Sequence, residues 1–251
     1  MRKNIIKLSL VFFLSLSNHA QKPSRAEWLK VSSIGLAGAA LNFGISLVET
    51  PSCAWCTTNK FDHTISQALI WPNLGAARIS SDFLAFGIAP LMAFASAALV
   101  SKNTSLFARN LLVLFDSVVV TGALTELAKI SSRRTRPGAA YGYDDLSDSG
   151  ANRSFCSGHT SFTFALLSSA SVLAYKNNYS WAPYFAGSSA LLGALVAYSR
   201  IASAKHWMSD ILVGMALGIG VGIAMPFITL DNQESLSLSA TPQSLLLSYA
   251  W

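Results

Sequence analysis

Three short segments of this chain gather the side chains that phosphoryl chemistry needs. The first, Lys129-Ile-Ser-Ser-Arg133-Arg134-Thr-Arg136-Pro137, leaves a long apolar stretch with a lysine and then turns at a proline. Lys129, a point charge, and Arg136, a planar fork, can thus converge on one anion. The second, Ser157-Gly158-His159-Thr160, stands where another apolar stretch begins. There the free N–H groups of a first helical turn and the Ser157 hydroxyl face an anion, and Gly158 carries no side chain to block its approach. The third, Ser199-Arg200 followed by Lys205-His206-Trp-Met-Ser-Asp210, places His206 and Asp210 on one helical face, the spacing at which a carboxylate holds an imidazole in a single tautomer. Two histidines, one carboxylate and at least three cations at helix mouths are what phosphoryl transfer without a metal requires. Cations neutralise the equatorial oxygens, one histidine attacks, and the other protonates the leaving oxygen.

The elements that must position these groups read as membrane helices. Of 251 residues, 52% are apolar and only 12% charged, with a mean hydropathy of +0.43. Six weakly charged runs occupy residues 28–48, 83–100, 107–128, 160–175, 184–201 and 211–228, and most approach the ~20 residues that a bilayer demands. Several are rich in Gly, Ala and Ser, which lets helices approach closely. A soluble protein with buried helices fits less well, because core helices are usually shorter. The expected fold class is therefore all-α, a bundle of about six transmembrane helices with the site loops at one membrane face. The net charge of +6 does not point to nucleic acid, since no long basic tract or nucleic-acid motif accompanies it. Many of the cations cluster between positions 129 and 153, which points to a small anionic group such as a lipid phosphate.

The chain divides into a leader or short retained anchor at 1–20, a first helix with a polar surface loop at 21–82, a core at 83–230 and a tail at 231–251. The leader has a basic start and a short apolar centre, with Ala20 as the candidate cleavage position. Within the loop, "FDHTISQALIW" reads as an amphipathic helix at the membrane surface, a lid or packing element. Cys53-Ala-Trp-Cys56 can pair locally or remain as thiols; with His63 these make only three ligands, short of a structural metal site. The tail alternates small polar and apolar residues around Thr241-Pro242-Gln243 and fits either a short hairpin or a disordered end.

The three segments match the pattern K-x6-RP, SGH and SR-x5-H-x3-D, and the chain resembles the superfamily of type 2 phosphatidic acid phosphatases and vanadium haloperoxidases, in its membrane lipid phosphatase branch. The resemblance spans roughly residues 83–228. It implies that Lys129, Arg136 and Arg200 bind phosphate together with Ser157 and the Gly158 backbone. It further implies that His206 is the nucleophile that becomes phosphohistidine, that Asp210 orients it, that His159 is the general acid, and that no cofactor takes part. Cys156 departs from the pattern, which has proline there. A cysteine phosphatase would need an arginine about six residues on, where Phe162 stands, so Cys156 is read as a bystander whose thiol the helix start and nearby arginines could activate.

Other charges have plainer readings. Arg133, Arg134 and Arg153 are expected as solvated loop charges or head-group contacts. Glu126, one turn from Lys129, is expected to form an ion pair, and Asp116 within its apolar run calls for a partner or a cavity. The expected partners are a lipid phosphate and the membrane. Competing readings are a soluble periplasmic acid phosphatase, a vanadate-dependent haloperoxidase and a catalytically inactive lipid-binding membrane protein. A cleaved leader followed by six crossings would place the site in the cytoplasm. Lys22, Arg25, Lys30, Lys102 and Arg109 instead favour a cytoplasmic amino terminus, hence a periplasmic site in a bacterial inner membrane, with the leader retained or the first run not a simple crossing.

Overall fold

Local sequence sets most of the helix starts. In the computed structural model, which describes residues 22–48, 50, 52–148, 150–230, 237–241 and 244–248, helix α1 (Arg25–Ser46) opens on Ser24. The Ser24 hydroxyl accepts from Glu27 N at 3.1 Å, and the Glu27 carboxylate accepts from Ser24 N at 2.9 Å. Such a reciprocal cap is worth about 1 kcal/mol. Asn59, Asn73 and Asn103 cap α2 (Lys60–Leu69), α3 (Leu74–Phe83) and α5 (Thr104–Ser132) more simply, each side chain accepting from one backbone N–H of the first turn. Between α3 and α4 (Ala89–Val100) the helix continues without a break through one π-helical turn, Leu84–Ile88. A short α6 (Pro137–Ala140) follows, then α7 (Gly158–Lys176), α8 (Ala182–Ala202) and α9 (Met208–Thr229).

Helix α7 is the axis of the bundle, packed by α4, α5, α8 and α9. Ala93, Val113, Leu167, Ala170 and Leu173 belong to the shared core. Among the described residues, five stretches are long and apolar enough to cross a membrane: Arg25–Ile45, Leu74–Val100, Thr104–Ser132, Ala182–Ala202 and Met208–Thr229. The expected sixth, the run at 160–175, is not among them. It forms α7, whose Thr160, Ser161, Thr163 and Ser169 lower its hydropathy and are all buried. A helix surrounded by other helices directs such groups inward, where they meet protein rather than lipid. Ahead of the tail, the described residues thus form an all-helical membrane bundle of six long segments, the central one more polar than the rest.

Helices α7 and α9 lie unusually close. A Cβ placed on Gly214 would stand 2.8 Å from Ser157 O, and on Gly218 or Gly222 it would stand closer still to Ser161 O and Ala165 O. Glycines spaced one turn apart therefore permit backbone contact along the whole interface. Helix α1 packs beside α5 and runs in the same direction, with Glu27 against Arg109 and the Asn42 amide donating to Val119 O at 2.6 Å. In the tail, β1 (Ser237–Thr241) pairs antiparallel with β2 (Ser244–Ser248), Ser237 opposite Ser248. The leader expected at 1–20, its cleavage position included, lies outside the described residues.

Candidate active site

The end of α5, the loops beyond it, the start of α7, the end of α8 and the start of α9 meet at one end of the bundle. The α5 helix stops because Arg133 takes a left-handed conformation (φ 42°), which turns the chain toward Arg136-Pro137. Gly138 N then donates to Ala204 O at 2.7 Å, tying this loop to the one that carries His206. Ser157 N donates to Asp210 O at 3.1 Å and so fixes the start of α7 against the start of α9.

His206 is buried at the centre of this junction. Its Nδ1 lies 2.7 Å from Ser154 O. A carbonyl only accepts, so Nδ1 carries the proton and Nε2 keeps its lone pair. Burial, then the charges of Arg200, Arg136 and Lys129, hold the imidazole well below its ordinary pKa. The ring is therefore neutral at ordinary pH and faces three cations. Lys129 Nζ stands close to Gly158, 3.2 Å from where a Cβ would sit, and bonds Glu126 at 2.6 Å, the ion pair read from the sequence. The Nε atoms of Arg136 and Arg200 are buried without a hydrogen-bond partner among the described residues. Ser157 is buried at the N-cap of α7, where no side chain caps the helix. All eight expected site residues thus lie in or around one junction.

A match to the family model of the PAP2 superfamily covers residues 110–234. The chain belongs to the PAP2 superfamily. A crystal structure described as the first transmembrane PAP2-type phosphatidylglycerolphosphate phosphatase, from Bacillus subtilis, superposes with a TM-score of 0.51 at 20% identity, covering 79% of this chain and 95% of that one. The two share a fold. A PA-phosphatase related-family protein of Dictyostelium discoideum is 27% identical over 179 residues, 66% of this chain and 65% of that relative. A Lipid A 1-phosphatase of Porphyromonas gingivalis is 30% identical over 105 residues, 42% of this chain and 20% of that protein. The chain therefore spans less than two thirds of either curated relative.

Within this PAP2 site several expectations need correction. Asp210 does not hydrogen-bond His206; its Oδ2 lies 3.8 Å from Nδ1, and the Ser154 carbonyl accepts the hydrogen bond from Nδ1–H instead. Asp210 accepts from Ser154 Oγ at 2.5 Å and from Trp207 N at 2.9 Å, so it acts on the ring through Ser154. Arg134 is not solvated: it is fully buried between Asp210 and Asp62. Arg153 is half-buried and pairs with Glu126 at 2.5 Å. The Cys156 thiol is not activated, because burial pushes its pKa up and outweighs the nearby lysine. Asp116 is buried with neither carboxylate oxygen hydrogen-bonded among the described residues. Cys53 and Cys56 are joined as a disulfide and His63 packs edge-on to Tyr141, so neither thiol is free to share a metal with it.

Sequence reasoning missed four contributors: Asp62, Asp82, Arg134 and Ser154. Asp82 Oδ1 lies 2.7 Å from His159 Nε2 and 3.6 Å from Arg200 Nη1, while Phe86 packs edge-on to the His159 ring at 4.7 Å. One signal for Asp82 was available, an acid at the brink of an apolar run. Asp62 sits on the predicted amphipathic helix, realised as α2, whose Ile65 and Leu69 pack on α8 and α9 while Asp62 points inward.

Proposed function

We propose that this chain is a membrane phosphatase that hydrolyses a phosphate or diphosphate on a lipid through a phosphohistidine, without a metal. The observation that carries the proposal is His206: a buried neutral imidazole with Nδ1 protonated, facing Lys129, Arg136 and Arg200, two of which hold buried N–H donors that lack acceptors among the described residues. An isolated cluster of buried cations is costly, and an entering phosphoryl group offsets that cost by accepting from them.

In the proposed reaction, with His159 protonated when the anionic substrate binds, His206 Nε2 attacks phosphorus, the bond to the leaving oxygen breaks, and the His159 imidazolium gives that oxygen a proton. Water then attacks the phosphohistidine and loses its proton to His159, releasing phosphate and restoring His206. Ser157 and the Gly158 N–H, at an uncapped helix start, receive the remaining phosphoryl oxygens. Two of the three proteins named above are a Lipid A 1-phosphatase and a phosphatidylglycerolphosphate phosphatase, which supports a lipid-borne phosphate as substrate.

The site is proposed to face the periplasm of a bacterial inner membrane. The Cys53–Cys56 disulfide lies on the same face as the site, Ala54 N donating to Arg133 O at 3.1 Å, and disulfides persist in oxidising compartments. Arg25, Lys30, Lys102 and Arg109 sit at the opposite end of α1, α4 and α5, as a cytoplasmic face would have them.

The test is phosphate release from phosphatidic acid, phosphatidylglycerol phosphate, polyprenyl diphosphate and lipid A, with a chelator present, by wild type and His206→Ala. Wild type is expected to turn over at least one of them and His206→Ala to lose ~10³-fold or more. Turnover abolished by the chelator, or preserved in His206→Ala, would overturn the proposal.

A further inference from the structure

Arg134 is as deeply buried as the phosphate-facing cations, yet both terminal nitrogens of its guanidinium are already paired, and only Nε lacks a partner among the described residues. Its Nη1 donates to Asp210 Oδ1 at 2.5 Å and Ser209 Oγ at 2.7 Å, and its Nη2 donates to Asp62 Oδ2 at 2.7 Å. Asp62 also accepts from Ser209 N at 2.8 Å and Ser209 Oγ at 2.7 Å. Both carboxylates and the guanidinium are fully shielded from solvent. Such an arrangement is worth little as stability compared with apolar packing, but its geometry is closely specified.

That geometry leads to the nucleophile by two routes that both begin at Arg134. Through its side chain, Arg134 holds Asp210, whose other oxygen accepts from Ser154 Oγ. Through its backbone carbonyl it accepts from Ser154 N at 3.0 Å. Ser154 is thus held at two points, and its own carbonyl receives His206 Nδ1–H. The flat face of the guanidinium is covered from outside by Trp55, whose ring centroid lies 3.9 Å from Cζ. Trp55 is in turn anchored by Thr135 N donating to Trp55 O at 3.2 Å, and its four-residue loop is closed by the Cys53–Cys56 disulfide.

We propose that Asp62 and Arg134 are positioning residues for the His206 imidazole, and that the disulfide-closed Trp55 loop is the cover that keeps them dry and in place. The proposal rests on His206 being the nucleophile. Asp62 and Trp55 both come from the surface loop ahead of α3, so that loop builds the nucleophile's support as well as the site's rim. Opening the disulfide frees the Trp55 loop and lets water compete for Arg134.

The test measures kcat, KM and the histidine tautomer for four variants and for reduced wild type. Asp62→Asn and Arg134→Met are expected to lower kcat by ~30-fold or more with KM within twofold. Trp55→Ala, and wild type treated with a phosphine that becomes phosphine oxide as the S–S bond becomes two thiols, are expected to lower it three- to tenfold. Trp55→Phe, which keeps a ring on the guanidinium, is expected to restore most of the loss. In 15N spectra of histidine-labelled protein, the resonance absent from His206→Ala is expected as the Nδ1–H tautomer in wild type and as a mixture in Asp62→Asn. Should Arg134→Met fail to fold in detergent, Trp55→Ala and the reduced wild type, which leave the buried groups intact, carry the test. Unchanged kcat and tautomer in Asp62→Asn and Trp55→Ala, with His206→Ala inactive, would overturn this inference alone; an active His206→Ala would overturn the site reading beneath it.

Discussion

The two histidines of the site are held in opposite ways. His206 is buried, its Nδ1–H received by a backbone carbonyl that Arg134 and Asp210 fix from behind. His159 is partly open, and its Nε2 rests on Asp82, a side chain 57% exposed. A main-chain acceptor cannot leave, whereas an exposed carboxylate can rotate away at small cost. A nucleophile must present one lone pair in one direction throughout the cycle, while a proton donor must hand its proton to a group that arrives and departs. The difference in support thus matches the difference between the two proposed tasks. Asp82 also reaches Arg200, so before substrate binds it stands where a phosphoryl oxygen is expected to compete with it.

The widest contrast between the two sides comes from the cations. Arg136→Ala and Arg200→Ala are each expected to lower kcat/KM by ~10²-fold or more. With one positive neighbour gone, protonation of His206 becomes easier and its pKa rises toward the ordinary imidazole value. Because only the neutral ring attacks, the acidic limb of kcat/KM is expected to move to higher pH in both variants; a limb left in place would remove His206 from the titration.

Ser154→Ala sharpens the comparison on the fixed side. It deletes the hydroxyl that ties the carbonyl-bearing residue to Asp210 and is expected to lower kcat about tenfold with KM little changed. On the movable side, Asp82→Asn removes a charge that competes for Arg200 and His159. Inorganic vanadate, as a phosphate mimic, is expected to bind it about three- to tenfold more tightly, read as a lower inhibition constant. Weaker inhibition would make Asp82 part of the phosphate site. The smallest effect is expected at Cys156, where a maleimide should leave the folded protein unlabelled and fully active at neutral pH, because the thiol is buried with a raised pKa.

Much of the site was legible because its residues lie in short segments whose internal spacing encodes their placement. Lys129, Arg136, Ser157, Gly158, Arg200 and His206 needed only the knowledge that apolar runs become helices and that their ends cluster. The support behind His206 was illegible for the same reason in reverse. Asp62 and Asp210 are brought onto one guanidinium across long sequence separations, and nothing local distinguishes Arg134 from Arg133. The direct Asp210–His206 hydrogen bond failed on a single competitor, since a helical i,i+4 spacing permits a contact without excluding a nearer carbonyl, and Asp210 reaches the ring through Ser154 instead. In the fold, the run at 160–175 was counted as one of six alike, whereas α7 is the buried and more polar axis, because polarity facing other helices and polarity facing lipid look alike in one dimension.

The glycine seam between α7 and α9 bears on how this molecule can vary. At Gly214, Gly218 and Gly222 the neighbouring backbone leaves no room for a methyl group, so the gap between the two catalytic segments is gauged by main chain alone. Gly222 lies two turns, about 12 Å, farther along α9 than Gly214. Some of the positions least free to drift are therefore found deep in the bundle, remote from any reacting atom. A methyl group at any of the three would push α7 and α9 apart and so disturb the site through its backbone rather than through any side chain that lines it.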